Sequence, residues 1–191
     1  MNIKKSAVIL SGGKNSRMGY ETKAFLKLNN KKFIDIIMEV LKDYDDVIVS
    51  CNKLQDYEYL KPEATLIEDE ITDIGPMGGI YSCLKKCKYN RCLFVAADMP
   101  FINKELIDTL TNYEFNEDAL VPIVNGNFEP LVAVYDKKII HIIEELINSD
   151  NFKIRNLLKL INVKYINIDD DKPFINVNTK EEYESIKREE G

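Results

Sequence analysis

Ala7-Val8-Ile9-Leu10-Ser11-Gly12-Gly13-Lys14-Asn15-Ser16-Arg17-Met18-Gly19, with Lys23 four residues on, is the stretch whose reading decides the fold. A short apolar run stops at paired glycines, and a loop of small, polar and basic residues follows. An apolar run of this length bounded by glycines reads as a buried strand. Glycines at its end let the backbone approach a ligand closely and turn N–H groups toward it. Lys14, Arg17 and Lys23 add positive charge. Together these features suit a strand-end site for a phosphate-bearing ligand, and the alternative is a plain Gly-rich turn. Two common phosphate loops are excluded by spacing. A Walker A loop needs four residues between Gly and Gly-Lys-Ser/Thr, whereas Gly13 is followed by five residues and then Gly19-Tyr20. Gly12, Gly13 and Gly19 also miss the gaps of the dinucleotide fingerprint.

Working outward, strands alternate with helices. Phe33 to Leu41 is apolar at helical spacing and ends at Asp45-Asp46. Val47 to Cys51 reads as a second strand, ending at Asn52, and Leu54 to Leu60 as a short helix stopped by Pro62. Ala64 to Ile67 reads as a third strand, ending at Glu68-Asp69. A helix follows Gly75-Pro76-Met77-Gly78-Gly79 to about Lys88, with Ile80, Cys83, Leu84 and Cys87 on one face. Cys92 to Ala97 is a fully apolar fourth strand that ends at Asp98-Met99-Pro100.

Strands apolar on both faces, alternating with helices, imply a mostly parallel sheet covered on both sides. Ligands of such sheets bind beyond the carboxyl ends of the strands, where Ser11-Gly12-Gly13, Asn52, Asp69 and Asp98 all fall.

The second half reads differently. A helix spans Ile102 to Leu110, and Ala119 to Val124 and Leu131 to Tyr135 form a hairpin-like pair around Asn125-Gly126-Asn127. Helices follow at Lys138 to Ile147 and Ile154 to Leu160, a strand at Val163 to Ile168, and a last helix with Tyr183 and Ile186 inward. Thr179 with Glu182 three residues later forms a capping box, so Thr179 reads as a helix cap. His141, the one histidine, falls within an apolar helix and reads as a helix residue rather than a catalyst.

Net charge is −6 over 191 residues, which argues against general nucleic-acid binding. Six basic residues against one acid between Lys14 and Lys32 still leave room for a basic pocket for a small anion. Cys51, Cys83, Cys87 and Cys92 include no CxxC pair, so a structural zinc site is not expected and buried thiols in a reducing cytoplasm are. No signal peptide or apolar run near 18 residues appears, and a soluble, cytoplasmic chain without membrane partners is expected.

Asp98 ends an apolar strand with Pro100 behind it. A carboxylate there can hold Mg²⁺, which bridges to substrate phosphates; it can equally be a turn former. Asp69 ends a neighbouring strand and is within reach of a nucleotide or a metal, or is one of several loop acids.

The ordered motifs resemble the MobA-like nucleotidyltransferase family, the molybdenum cofactor guanylyltransferases. Leu10-Ser11-Gly12-Gly13 through Arg17-Met18-Gly19 and Lys23 is similar to its signature loop, with Ser11 in place of the usual Ala. Gly75-Pro76-Met77-Gly78-Gly79 resembles its Gly-Pro-x-x-Gly turn near the nucleotide, and Ala97-Asp98-Met99-Pro100 its Asp-x-Pro motif, whose Asp binds Mg²⁺. Glu129-Pro130-Leu131 resembles a stretch on the acceptor side, and Asn176-Val177-Asn178-Thr179 a segment implicated in molybdopterin binding. The family's second-strand Asn matches Ser50 by position, with Asn52 two residues on, and either is a candidate nucleotide contact.

The resemblance implies a Rossmann-like three-layer α/β fold of the nucleotide-diphospho-sugar-transferase type. It implies one domain over 1–191, with a nucleotide-binding half at 1–100 and an acceptor-binding half at 101–191. The implied reaction moves GMP from GTP to Mo-molybdopterin with release of pyrophosphate. Arg17, Lys23 and Asp98 would be catalytic, with Asp98 the Mg²⁺ ligand. Leu10, Ser11, Gly12, Gly13, Lys23, Ser50, Asn52, Asp69, Gly75, Gly78, Asn176 and Asn178 would bind the substrates. Implied protein partners are those that deliver molybdenum cofactor or receive it. The alternatives are a related nucleotidyltransferase using CTP or another acceptor, and a non-enzymatic nucleotide- or cofactor-binding module.

Overall fold

The computed structural model describes residues 3–12 and 22–189. The chain opens with strand β1 (Ile3–Leu10). After a 3₁₀ turn at Lys23–Phe25 comes a small ribbon of β2 (Lys27–Leu28) and β3 (Lys31–Lys32), then helix α1 (Phe33–Val40). Next come β4 (Tyr44–Cys51), β5 (Thr65–Glu68), α2 (Pro76–Lys86), β6 (Arg91–Ala96) and α3 (Lys104–Asn112). The second half holds β7 (Ala119–Val124), β8 (Asn127–Phe128), β9 (Ala133–Asp136), α4 (Ile140–Asn148), α5 (Ile154–Leu160), β10 (Val163–Asn167) and α6 (Lys180–Glu189).

Among the described residues the main sheet has eight strands in the order β10-β7-β9-β6-β1-β4-β5, with β8 beside β7. The pairs β1–β4, β1–β6, β4–β5 and β10–β7 are parallel. β9 runs antiparallel to both β6 and β7, so the sheet is mixed.

Alternate residues of β1 feed two cores, as a pleated strand requires. Ala7 and Ile9 face the layer that holds Ile34 and Ile37 of α1 and Leu106, Ile107 and Leu110 of α3. Val8 and Leu10 face Met77, Ile80 and Leu84 of α2, Ile143 and Leu146 of α4, and Leu157 of α5. A third cluster joins Leu26, Leu28 and Phe33 to Val177 and Ile186, seating α6 against the β2–β3 ribbon. Helices therefore cover both faces, and the inner strands β1, β4 and β6 are buried on both sides over residues 7–10, 47–51 and 92–96.

One local expectation is corrected. Asp45 and Asp46 do not end the first helix, which stops at Val40, but lie inside β4. Asp46 Oδ2 accepts from Ser6 Oγ on β1 and from the Lys88 N–H, and Asp45 Oδ2 accepts from Lys88 Nζ at 2.9 Å and Tyr89 Oη at 2.7 Å. With the acids partnered, the strand extends through them. The short helix expected at Leu54–Leu60 is present and is wound as a 3₁₀ helix. The Asn125-Gly126 turn, with φ of 50° and 79°, closes β7 first onto the two-residue β8, and the expected antiparallel partner in Leu131 to Tyr135 pairs with the start of β7 as β9. β9 also pairs with β6 and so lies between the two. Thr179 is the cap expected: Thr179 N–H donates to Glu182 Oε2 at 3.0 Å and Glu182 N–H to Thr179 Oγ1 at 3.2 Å. All four cysteines are buried and free.

Candidate functional site

The parallel strands deliver their carboxyl ends to one edge and are laced together there. Ala97 N–H donates to the Leu10 carbonyl at 3.0 Å, and Ser11 N–H to the Ser50 carbonyl at 2.9 Å. A pocket opens above these bonds. It is lined by Leu10, Ser11 and Gly12 at and just past the end of β1, Ser50 from β4, Asp69 after β5, Ala96, Ala97 and Asp98 at and just past the end of β6, and Thr22, Lys23 and Ala24 at the 3₁₀ turn. Gly75, Pro76 and Gly79 bring the N-terminus of α2 to the same wall, and Leu131 closes it from the second half. Gly75, at φ 68° and ψ −154°, is in a conformation reached essentially by glycine alone, which costs a side-chained residue about 1–3 kcal/mol. Pro76 takes the first helical position, where a missing N–H costs nothing. A helix N-terminus facing a pocket favours an anion.

Two carboxylates have distinct surroundings. Asp98 accepts from Lys23 Nζ at 2.9 Å, with each side chain 20% exposed. The same ammonium donates to Asn178 Oδ1 at 2.6 Å. An ammonium only donates, so the Asn178 atom it meets is the carbonyl oxygen, leaving the amide NH₂ for another acceptor. Asp69 accepts from Ser50 Oγ at 2.6 Å. Burial pushes its carboxyl above the usual range, and the Ser50 hydrogen bond opposes this. A β-carbon placed on Gly12 would lie 3.1 Å from Asn52 Oδ1 and 3.2 Å from Asp69 Oδ2, so both side chains back the glycine turn. Ser11 Oγ lies 2.6 Å from Tyr57 Oη, whose pKa burial pushes up to about 12.

Of the residues named from sequence, Leu10, Ser11, Gly12, Lys23, Ser50, Asp69, Gly75 and Asp98 meet at this pocket. Asn178 joins through Lys23. Ser50 lines the wall, while Asn52 stands behind Gly12. Gly13, Lys14 and Arg17 lie outside the described residues. Two expectations shift. It is Gly79, not Gly78, that lines the pocket: a β-carbon on Gly78 would sit 2.5 Å from the Ile71 carbonyl oxygen, so this glycine packs α2 on its preceding loop. Asn176 is not on the pocket wall, and its Oδ1 is buried without a hydrogen-bond partner among the described residues. Sequence reasoning missed Tyr57 and the adherence of Lys23 to Asn178, neither of which has a local signal. Gly79 had one, since it closes the same Gly-rich turn.

The match to known proteins covers most of the chain. The family model described as "MobA-like NTP transferase domain" matches residues 7–166. The chain belongs to the MobA-like NTP transferase family. It is a nucleotidyltransferase-family enzyme, and its sheet is that of the nucleotide-diphospho-sugar transferases. It is 39% identical over 193 residues to the Clostridium perfringens (strain 13) protein named "Probable molybdenum cofactor guanylyltransferase", covering 96% of each chain. The Natranaerobius thermophilus protein of the same name is 32% identical, with 96% of this chain and 95% of that one covered. Among solved structures, molybdopterin-guanine dinucleotide biosynthesis protein A from Archaeoglobus fulgidus superposes with a TM-score of 0.82 at 26% identity, over 96% of this chain and 97% of that one. The 4-diphosphocytidyl-2C-methyl-D-erythritol synthase of Anaerococcus prevotii, 17% identical over 97% of this chain and 95% of that one, shares the fold with a TM-score of 0.75. Among the described residues no helix is long and apolar enough to cross a membrane.

Proposed function

We propose that this family member transfers GMP from GTP to the terminal phosphate of Mo-molybdopterin, releasing pyrophosphate. The observation that carries the reading is the meeting of the Ser11-Gly12 turn, the N-terminus of α2 and the Lys23–Asp98 pair around one pocket. That set suits a triphosphate. Backbone N–H groups and the helix dipole receive phosphate oxygens, and an ammonium neutralises their charge.

An oxygen of the acceptor phosphate attacks the α-phosphorus of GTP; one P–O bond forms while the bond to the departing pyrophosphate breaks. A phosphate oxygen is already a nucleophile, so no side chain need remove a proton. Catalysis then rests on positioning and charge neutralisation. Lys23 takes charge developing on the phosphates, and the Asn178 NH₂ is left to donate to the acceptor. Arg17 belongs to the same charge-neutralising set.

The donor set fits Mg²⁺. Asp98 offers one carboxylate at the pocket wall, and no cluster of three His, Cys, Asp or Glu that would cage a metal occurs among the described residues. Mg²⁺ commonly takes one or two carboxylates and fills its shell with water and phosphate. Bound at Asp98, it would supply Lewis-acid stabilisation of the triphosphate.

Asp69 supports guanine as the base. Guanine presents an N–H and an amino group side by side, and a carboxylate accepts both. Cytosine places a ring acceptor where that N–H would be, and it would face the carboxylate charge unpaired. Calorimetry with Mg²⁺ and GTP, CTP or ATP tests the base. Pyrophosphate release on adding Mo-molybdopterin tests the transfer. GTP is expected to bind at least tenfold tighter than CTP, and CTP equal to or tighter than GTP overturns the base assignment. Proteins that deliver or receive the cofactor, and a cytoplasmic location, follow from this reading.

A further inference from the structure

Lys23 and Asn178 stand 155 positions apart, yet their side chains meet at 2.6 Å. The segment that brings Asn178 there is held from several sides. Val177 N–H donates to the Asp98 carbonyl at 2.9 Å, tying it to the strand end that carries Asp98. Tyr183 Oη donates to the Lys27 carbonyl at 2.8 Å and accepts from Lys27 N–H at 3.2 Å. Val177 and Ile186 pack against Leu26 and Leu28, just beyond Lys23. The C-terminal segment is thus clamped onto the short stretch that carries Lys23.

The cap of α6 does more than a cap requires. A capping box satisfies the N–H of the cap residue itself, here Thr179 at 3.0 Å from Glu182 Oε2. The same oxygen also accepts from the Asn178 N–H, one residue outside the box, and at 2.6 Å this is the shorter of the two bonds. Glu182 therefore fixes the backbone from which the Asn178 side chain reaches Lys23.

We propose that Glu182 is a positioning residue for the nucleotide: through Asn178 it sets where the Lys23 ammonium stands against the triphosphate. This rests on the nucleotidyl-transfer reading above and adds a residue to it. A lysine carries a flexible four-carbon stem, and holding its ammonium in place before the nucleotide arrives reduces the ordering cost of binding. Asp98 Oδ2 holds the same ammonium at 2.9 Å, and Asn178 Oδ1 fixes it from a second point only while its own backbone is held.

The test is calorimetric binding of Mg²⁺–GTP without acceptor, alongside the melting temperature and the separate kcat and acceptor KM values. Glu182→Ala and Asn178→Ala are each expected to weaken Mg²⁺–GTP binding by roughly tenfold, the loss of one charge-linked hydrogen bond. In a Lys23→Ala background either change should add less than about twofold, because both act through that ammonium. Glu182→Gln retains an acceptor oxygen and should restore most of the affinity. Thr179→Ala removes the reciprocal cap bond but leaves the Glu182–Asn178 bond, so it should lower the melting temperature while leaving affinity near wild type.

The proposal is overturned if Glu182→Ala and Asn178→Ala bind Mg²⁺–GTP normally and change only acceptor KM or stability. It is also overturned if their losses multiply with that of Lys23→Ala, or if Thr179→Ala weakens binding as much as Glu182→Ala. Where Glu182→Ala does not fold, Glu182→Asp, whose shorter side chain withdraws the carboxylate from the Asn178 N–H, takes its place with the same expected loss and the same overturning result. A wild-type protein that binds no nucleoside triphosphate refutes the transfer reading itself. A wild-type protein that binds one while the Glu182 and Asn178 variants match it refutes only the positioning role.

Discussion

Gly78→Ala is expected to unfold the protein more easily without touching the pocket. The added β-carbon would stand 2.5 Å from the Ile71 carbonyl oxygen and 3.2 Å from Ile74 Cγ1. Ile74 can turn its side chain, but the carbonyl is backbone and moves only with its loop. To reach ordinary contact near 3.4 Å, the start of α2 and residues 71–74 must part by most of an ångström. Overpacking of this kind costs roughly 1–3 kcal/mol, and a backbone collision belongs at the upper end. Replacing Gly by Ala within a helix returns about 1 kcal/mol. The net is a loss of about 1–2 kcal/mol, or a melting temperature lower by roughly 2–8 °C for a chain of this size. The assay is thermal and urea unfolding, paired with calorimetric GTP affinity measured well below the transition. An unchanged or raised melting temperature together with a tenfold loss of GTP affinity would refute the reasoning and restore Gly78 to the binding surface.

Gly12→Ala should behave in the opposite way: its β-carbon would press on the Asn52 and Asp69 side-chain tips, at 3.1 and 3.2 Å, rather than on backbone, so stability should change by under about 1 kcal/mol while GTP affinity falls; unimpaired affinity in the folded variant contradicts the site. Asp98→Asn removes the charge that a hard cation prefers, and turnover should fall by roughly two to three orders of magnitude, about 3–4 kcal/mol, with little change in melting temperature; a variant that melts far lower but keeps its specific activity makes Asp98 structural. Asp69→Asn tests the burial of that carboxyl, whose pKa is raised in the folded state chiefly by desolvation. A raised acid pKa favours folding below the unfolded value, near 3.9, and that advantage is lost as pH rises through the folded value. The variant should therefore gain stability relative to wild type as pH climbs from about 4 toward 7, while losing preference for GTP; parallel melting curves across that range refute the assignment.

How much of this was legible beforehand depends on the range of the interaction. β1, β4 and β6 announce themselves locally through residues 7–10, 47–51 and 92–96, because chain covered on both faces is largely apolar. With the strands in hand, the pocket follows from where they end. Strand order carries no such local signal. β9 has the composition of an ordinary strand, and only pairing with β6 and β7 places it between them. The strand character of Asp45 and Asp46 is hidden for the same reason, since their partners Ser6, Lys88 and Tyr89 are some forty residues away.

The functional residues divide along the same line. Thr179 and Glu182 spell a capping box three residues apart, and that much is local. The second bond of Glu182, to Asn178, has no pattern of its own, and its use emerges only once Asn178 is seen to reach Lys23. Gly78 and Gly79 make the point at the shortest range. They are adjacent and chemically identical, so no sequence pattern separates their roles. One step along a helix turns the side-chain direction by about 100°. That rotation aims one α-carbon at the Ile71 carbonyl and the other at Leu10 and Ser50 on the pocket wall. A Gly-rich motif therefore marks a close approach without saying to what. The partner that each glycine faces decides whether its loss is read in the melting curve or in the binding isotherm.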